Sequence, residues 1–189
     1  MTRFARRVIS WQRLHGRHGL PWQGSRDAYR VWLSEVMLQQ TQVTTVLRYY
    51  PRFLEQFPTV QALAAAPLDA VLSLWSGMGY YSRARLLHRC AQAVVGQHQG
   101  RFPGSAQALA QLPGIGPSTA AAIAAFCFGE RAAILDANVK RVLARHTGFA
   151  DDLSRPVAVD ALWRLAQDRL PRQGIETYTQ GLMDLGATL

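Results

Sequence analysis

"LAQLPGIGPSTAAAIAAFCFG", residues 109–129, is the most specific structural signal in the chain. Two helical patterns meet there at a turn, and its two glycines permit a backbone path that residues with a Cβ would resist. Pro117 suits the first residue of the second helix. The turn leaves backbone N–H groups free at that helix N-terminus, where the dipole also favours an anion. We therefore expect Gly114 and Gly116 to bind a phosphate oxygen and Ile115 to point inward, with an ordinary tight turn as the alternative.

Helical periodicity continues on both sides of this hairpin, and no segment shows sustained strand-like alternation. The sequence therefore predicts an all-α fold. Eleven helices are expected at about 2–16, 27–40, 43–57, 60–65, 68–77, 81–98, 105–111, 117–128, 137–147, 156–170 and 174–187. Ser105 is the expected N-cap of the seventh helix, and Pro51 should kink or break the third.

The composition indicates a basic globular domain with a polyanionic partner. The chain has 189 residues, is 49% hydrophobic and carries a formal net charge of +9, so it can bury a core and attract phosphate backbones. Colloidal solubility is the alternative explanation of the charge. Lys140 is the only lysine. No apolar run reaches the roughly 18 residues that span a bilayer, and the N-terminus lacks a secretion signal, so we expect no membrane association and a cytosolic location.

A single acid, Glu35, lies in the apolar and amide-rich stretch VWLSEVMLQQTQV, residues 31–43. On a helix its neighbours include Val31, Trp32 and Leu38, so its surroundings could be dry and its pKa raised. The alternative is exposure on the polar side of the helix, because glutamate is rarely buried.

Asp136 stands between an apolar run and the start of a predicted helix. There it can be the N-cap of that helix, where backbone N–H groups and the helix dipole favour the ionised form. Asp136 could be no more than a cap, but capping is compatible with an electrostatic role in catalysis.

The motifs LPGIG and ILDANVKRVLARH resemble the helix-hairpin-helix, Gly/Pro-rich loop and aspartate superfamily of DNA glycosylases. Within it, LPWQ, YRVWLSEVMLQQTQV and YTQGLMDLGA are similar to the catalytic domain of MutY-type adenine DNA glycosylases, and the resemblance covers almost the whole chain. It implies two helical lobes with the catalytic cleft between them. One lobe would be a six-helix barrel over about 22–131 that includes the hairpin at 109–129, and 1–21 plus 132–189 would form the other.

The resemblance implies a monofunctional glycosylase of base excision repair. It would remove adenine mispaired with 8-oxoguanine or guanine from double-stranded DNA, as a monomer in the bacterial cytoplasm. Purine loss passes through an oxocarbenium-like state, so an acid on the base and a carboxylate beside the sugar both help. By resemblance, Glu35 protonates N7 of adenine, Asp136 stabilises the cation and can bond to C1′, and Asn138 positions the water. The family usually has glycine where this chain has Ala137.

The target nucleotide must leave the duplex, and side chains must hold the gap open. By resemblance, Gln40 and Thr41 approach the gap and Tyr80 intercalates, although Tyr80 could instead pack in the core. Arg83 and Arg85 are expected to reach phosphates, with a solvated face as the alternative. Further DNA contacts are expected from the hairpin region and the following helix: Gly114, Gly116, Ser118 and Lys140. The adenine pocket is expected to comprise Trp22, Gln23, Leu38, Val43 and Met183, with Gln180 as a further candidate.

The family resemblance also sets expectations for lyase chemistry and cofactors. Relatives similar to endonuclease III carry a lysine nucleophile two residues after the second hairpin glycine, where this chain has Ser118, which cannot form a Schiff base. The family continues after MDLGA into a four-cysteine loop that holds a [4Fe-4S] cluster. Only Cys90 and Cys127 are present, so we expect a truncated chain that binds no cluster and buries both thiols. A monovalent cation is a candidate ligand of the hairpin carbonyls of Ala110, Leu112 and Ile115.

Three rival functions stay open at this point. They are a mismatch glycosylase that acts on thymine, a bifunctional lyase similar to endonuclease III, and a helix-hairpin-helix module that binds DNA without catalysis. The first shares the hairpin and the aspartate, and Ser118 disfavours the second. The third predicts that Glu35→Gln and Asp136→Asn change no measurable activity.

Overall fold

The computed structural model describes residues 2–189, and over these residues it contains eleven α-helices and no β-strand. Their bounds are α1 Arg3–His15, α2 Ala28–Leu38, α3 Val43–Gln56, α4 Val60–Ala65, α5 Leu68–Leu74, α6 Tyr81–His98, α7 Ala106–Leu109, α8 Pro117–Phe128, α9 Ala137–Thr147, α10 Pro156–Asp168 and α11 Ile175–Thr188. The all-α prediction is confirmed. Within the described residues, no helix has both the length and the apolar character to cross a membrane.

Ser105 and Pro51 are two local signals in the sequence, and they have different outcomes. Ser105 Oγ accepts a hydrogen bond from the Ala108 backbone N at 3.3 Å and so caps α7 as predicted. α3 stays a continuous helix through Pro51, so of the two predicted effects the break is wrong and the kink stays a prediction. Tyr50 and Phe53, on either side of the proline, are both buried in the same core. This packing holds the two halves of α3 together and offsets the backbone hydrogen bond that proline removes.

The helices pack around two hydrophobic cores. The first core takes most of its side chains from α2 to α8, with Trp32, Phe53 and Trp75 among the largest. The second core joins α1 to the helices after α8 and includes Leu143 and Tyr178. The two cores give the two predicted helical lobes, while the division near residue 131 stays a prediction.

α8 lies between the two lobes and contributes side chains to both cores. Its buried residues divide between them, with Ala120, Ile123 and Ala124 in the first core and Ala121, Ala122 and Ala125 in the second. Since most of these side chains are alanines, both lobes can approach the helix axis closely. The second helix of the hairpin therefore connects the lobes.

The hairpin consists of α7, a turn over 110–116 and α8, and α7 is shorter than the predicted 105–111. Gly114 has a φ of +76°, and a Cβ built on it would lie 2.8 Å from Leu86 Cβ. Gly116 has a φ of −79° and open space where its Cβ would be. The turn therefore requires glycine only at 114. Ile115 is buried between the two, as predicted.

Gly114→Ala is expected to lower the free energy of unfolding by about 1–3 kcal/mol, because alanine is strained at positive φ and would press on Leu86. Gly116→Ala is the matched control, with an expected change within about 0.5 kcal/mol. Chemical denaturation of both variants and the parent protein measures the two values. Equal losses in the two variants would contradict this description of the turn.

Candidate active site

A cleft of about 990 Å³ opens between the two lobes and receives side chains from both. Its volume suits a ligand of nucleoside size. The cleft lining includes the predicted catalytic and pocket residues and three of the predicted DNA contacts: Glu35, Asp136, Asn138, Trp22, Gln23, Leu38, Val43, Met183, Gln180, Gln40, Thr41 and Ser118. The predicted DNA contacts that lie outside the cleft are Tyr80, Arg83, Arg85, Gly114, Gly116 and Lys140.

Glu35 lies on the cleft side of α2. Trp32, Leu33 and Val36 on the same helix are buried in the first core, which anchors α2 with its one acid facing the cleft. Burial, and to a smaller extent the Asp136 carboxylate, raises the pKa of Glu35 to about 8. No hydrogen bond or positive charge from residues 2–189 offsets this shift. At neutral pH, Glu35 is therefore a carboxylic acid that holds a proton.

Glu35→Gln is expected to stabilise the protein at alkaline pH. Glu35 has its ordinary pKa of 4.5 in the unfolded chain and about 8 in the folded one. Between these values the folded state binds more protons, so stability falls as pH rises. The variant removes this loss of stability. The free energy of unfolding of the variant should therefore exceed that of the parent protein by near zero at pH 4 and by about 2–4 kcal/mol at pH 9, since partial access of water to the cleft limits the difference.

Urea denaturation from pH 4 to pH 9 measures this difference in the free energy of unfolding. Glu55→Gln is the control, since Glu55 is an exposed residue of α3. A difference between Glu35→Gln and the parent protein that does not change with pH would show that folding leaves the proton affinity of Glu35 unchanged.

Asp136 is the N-cap of α9, and its Oδ1 accepts a hydrogen bond from the Val139 backbone N at 2.8 Å. The hairpin also holds this segment, because Ser118 Oγ accepts from the Leu135 backbone N at 3.1 Å. Burial raises the pKa of Asp136, and the N–H groups of Val139 and Asn138 offset the shift only in part. Capping favours the ionised form as expected, but burial outweighs it, so the net shift is opposite to the one that the cap alone predicts.

Asn138 lies in the first turn of α9, beside Asp136. Its Oδ1 accepts a hydrogen bond from Arg141 Nη1 at 3.2 Å. α11 passes so close that a Cβ on Gly186 would overlap the Asn138 carbonyl oxygen. Glycine at 186 therefore lets α11 pack directly on the turn that carries Asp136 and Asn138.

The LPWQ segment builds one wall of the cleft. Trp22 is buried and packs edge-on against Tyr50, with 5.3 Å between the ring centroids. The Gln23 amide oxygen accepts from the Leu20 backbone N at 3.1 Å, and the amide nitrogen donates to the Arg17 carbonyl at 3.0 Å. The Gln23 side chain therefore uses part of its hydrogen bonds to stabilise the loop after α1.

Sequence reasoning missed an ion pair at the edge of the cleft. Arg17 Nε donates to Asp184 Oδ1 at 2.7 Å, and the Arg17 backbone N donates to Oδ2 at 2.9 Å. Asp184 is 2% exposed, and Gln180 Nε2 also donates to it, at 2.9 Å. The pair joins the loop after α1 to α11. The sequence did contain a signal, because Asp184, like Glu35, is a lone acid in an apolar helical stretch.

Gln40 and Tyr80 are exposed residues in the left-handed backbone region, with φ of 55° and 49°. Residues with a side chain rarely adopt this conformation, and those that do are concentrated at functional sites. Tyr80 is 59% exposed, which excludes the alternative that it packs in the core. Arg85 is exposed and Lys140 is half-buried, and their phosphate contacts stay predictions.

Arg83 is buried, so the prediction that it contacts phosphate is wrong. It is 8% exposed, and its guanidinium donates hydrogen bonds to groups inside the protein, including the Val36 carbonyl at 3.1 Å and Thr41 Oγ1 at 3.0 Å. Arg85 lies two residues further along α6 and therefore points to another side of the helix. The sequence could not distinguish these two arginines.

The described residues include no group of three or more His, Cys, Asp or Glu side chains that could hold a metal ion. Cys90 and Cys127 are buried free thiols in the first core, and burial raises the pKa of each to about 12. Two buried thiols cannot supply the four thiolates of an iron–sulfur cluster, so the residues present do not fit that cofactor. The cation at the carbonyls of Ala110, Leu112 and Ile115 stays a prediction.

Residues 33–167 match the HhH-GPD superfamily of base excision DNA repair proteins. The chain belongs to this superfamily. The matched segment contains Glu35, the whole hairpin and Asp136, and the cleft brings Glu35 and Asp136 together with Ser118 of the hairpin.

The chain is 40% identical to the adenine DNA glycosylase of Buchnera aphidicola subsp. Baizongia pistaciae (strain Bp) in an alignment of 186 residues. The alignment covers 98% of this chain and 52% of that protein. The chain is 42% identical over 198 residues to the adenine DNA glycosylase of Homo sapiens, over 100% of this chain and 36% of that protein. The chain thus spans about half the length of the bacterial relative. A solved structure of a thermostable thymine-DNA glycosylase matches with a TM-score of 0.87 and 28% identity, over 97% of this chain and 84% of that one.

Proposed function

We propose that the protein is a monofunctional DNA N-glycosylase that removes adenine mispaired with 8-oxoguanine or guanine. The observation that carries the proposal is Glu35. A carboxylic acid that keeps its proton at neutral pH faces a cleft large enough to admit a nucleoside, and a second carboxylate, Asp136, is near enough to raise its pKa. A module that only binds DNA has no use for a half-buried acid whose raised pKa makes the fold less stable as pH rises. Similarity to adenine DNA glycosylases supports adenine as the base.

The proposed reaction starts with the adenine nucleotide turned out of the duplex and into the cleft. The Glu35 carboxylic acid donates its proton to N7, the C1′–N9 bond breaks, and the bonding electron pair leaves with the base. The Asp136 carboxylate stabilises the positive charge on the sugar. Asn138 positions a water whose oxygen bonds to C1′, and the proton that this water loses returns to Glu35. The products are free adenine and an abasic site.

The walls of the cleft support a flat, mostly apolar ligand such as a purine. Leu38, Val43 and Met183 contribute apolar surface from both lobes, and Trp22 adds an aromatic ring. Apolar walls also limit the water around the acid, which keeps the pKa of Glu35 high. We assign base binding to these residues, with the amides of Gln23 and Gln180 at the polar edge.

We propose that the reaction stops at the abasic site without strand cleavage. Ser118 lines the cleft, but its Oγ already accepts a hydrogen bond from the Leu135 backbone N, and a hydroxyl cannot form a Schiff base. Lys140, one helical turn beyond Asp136, is the only lysine side chain that could react with C1′. Strand cleavage that survives Lys140→Ala would overturn this part of the proposal.

A single-turnover assay on three duplexes tests the proposal. The duplexes contain A:8-oxoguanine, A:G or T:G, and alkali cleaves the strand wherever a base has been removed. We expect alkali-labile sites in both adenine duplexes and none in the T:G duplex. The absence of such sites from both adenine duplexes would overturn the proposal.

A thymine glycosylase is the second candidate function. It is favoured by the similarity to the thermostable thymine-DNA glycosylase, whose chain the structure matches over 84% of its length. Removal of thymine from T:G, with no removal of adenine, would establish this function instead.

We propose double-stranded DNA as the partner and the bacterial cytoplasm as the location, with the protein acting as a monomer. The net charge of +9 supports a phosphate backbone, and bacterial proteins are among the relatives. DNA affinity should therefore fall as the salt concentration rises.

A further inference from the structure

Two loops meet at the edge of the first lobe, residues 39–41 after α2 and residues 78–80 before α6. Each loop contains one exposed residue in the left-handed region, Gln40 or Tyr80. We propose that Arg83, buried between the loops, is a positioning residue that locks them into one surface, so that Gln40 and Tyr80 hold open the gap left by the flipped adenine. This role rests on the proposed function.

The Arg83 guanidinium bonds to both loops at once. On the side of α2 and the first loop it donates to the carbonyls of Val36 at 3.1 Å, Met37 at 3.0 Å and Gln39, and to Thr41 Oγ1 at 3.0 Å. On the side of the second loop it donates to the carbonyls of Met78 and Gly79, each at 3.3 Å. A planar guanidinium presents donors in several directions at fixed angles, whereas a lysine ammonium is a single point charge on a flexible stem.

These hydrogen bonds lie next to the two residues with unfavourable backbone conformation. In the first loop they involve both neighbours of Gln40, and in the second they involve the residue before Tyr80. A left-handed residue with a side chain persists only when its surroundings hold it there. The Arg83 guanidinium also lies 5.5 Å from the centroid of the Tyr80 ring, within the range of a cation–π contact. Arg83 therefore restrains the backbone of both loops and the ring of Tyr80.

Arg83 also links the two loops to the helix that carries Glu35. The Val36 and Met37 carbonyls that it binds belong to the last turn of α2, where carbonyls lack partners within the helix and the dipole favours a positive charge. The helix that carries the proton donor and both gap-holding loops are therefore hydrogen bonded to one buried guanidinium. A shift of the loops would also displace the C-terminal end of α2.

A positioning role and a purely structural role predict different substrate dependence. Adenine opposite 8-oxoguanine needs the loops to hold the gap and the unpaired partner base. Adenine opposite an abasic site has no partner base, and its own unpairing is easier. If Arg83 acts through the loops, its loss should affect the first substrate far more than the second. If Arg83 only stabilises the fold, both substrates should be affected equally.

The experiment compares Arg83→Met and Arg83→Lys with Arg89→Met, a control at an exposed arginine of the same helix. Hydrogen exchange is followed at the amides of Gln39, Thr41 and Met78, which are hydrogen bonded in the loops. At a temperature where all variants are folded, Arg83→Met should speed exchange at these amides at least tenfold and leave exchange at the amides of α8 unchanged. Arg83→Lys should give an intermediate increase, and Arg89→Met none.

Single-turnover rates on both substrates complete the test. Arg83→Met should reduce adenine release opposite 8-oxoguanine on the order of 10²-fold, and release opposite an abasic site by much less. Equal reductions on the two substrates, or unchanged loop exchange, would overturn the positioning role. If the parent protein releases no adenine from any duplex, the proposed function fails by itself, and the exchange measurement alone decides whether Arg83 locks the loops.

Discussion

Glu35→Gln is expected to lower the single-turnover rate of adenine release by about 10²–10⁴-fold, the range that general acid catalysis contributes. Glutamine has nearly the same shape and can still hydrogen bond to the base, but it cannot transfer a proton to N7. Binding of the mispaired duplex should change little, because Glu35 lies in the cleft and carries no charge at neutral pH. The loss should therefore appear in the rate at saturating protein and not in the affinity.

The pH dependence of the parent protein provides an independent check of the same role. Since the pKa of Glu35 is about 8, the rate should fall as pH rises through that value and Glu35 loses its proton. The variant has no such group, so its residual rate should not fall there. Glu55→Gln, on the exposed side of α3, should behave as the parent does. A parent rate that stays constant from pH 6 to pH 10 would exclude Glu35 as the proton donor.

The helices could be predicted because their ends are encoded locally. Ser105 caps α7 through its own hydroxyl, and Pro117 starts α8 with a fixed φ, so neither depends on distant residues. Pro51 shows the limit of this reasoning. Its local effect is to weaken a helix, but the burial of Tyr50 and Phe53 on both sides keeps α3 continuous. That burial depends on residues far away in the chain.

The sequence predicted which residues form the candidate site better than it predicted their burial and protonation. Glu35 stood out because it is a lone acid among apolar residues, but how dry its surroundings are depends on how two lobes pack. The cap geometry of Asp136 was predictable, whereas the burial that raises its pKa was not. Arg83 and Arg85 are about 200° apart around α6, and only the packing of that helix determines which one is buried.

Asp136→Asn is expected to lower adenine release by about 10²–10³-fold, a loss typical of removing one preorganised electrostatic group. Asparagine is as good an N-cap as aspartate. The substitution therefore keeps the hydrogen bond to the Val139 backbone N and removes only the negative charge beside the sugar. The fold should be preserved, and the free energy of unfolding should not fall, since burial already disfavours the charge of Asp136.

Asp27→Asn is the matched control, because Asp27 is also an N-cap aspartate, whose Oδ1 accepts a hydrogen bond from the Tyr29 backbone N at 2.9 Å at the start of α2. It should keep the parent rate.

Burial raises the pKa of Asp136, so acidification should protonate Asp136 at a higher pH than an ordinary aspartate and bring the parent rate down towards that of Asp136→Asn. Together with the loss of the Glu35 proton near pH 8, this predicts a bell-shaped profile for the parent protein. Asp136→Asn should keep the alkaline limb and lose the acidic one, and an unchanged acidic limb would show that another group controls it.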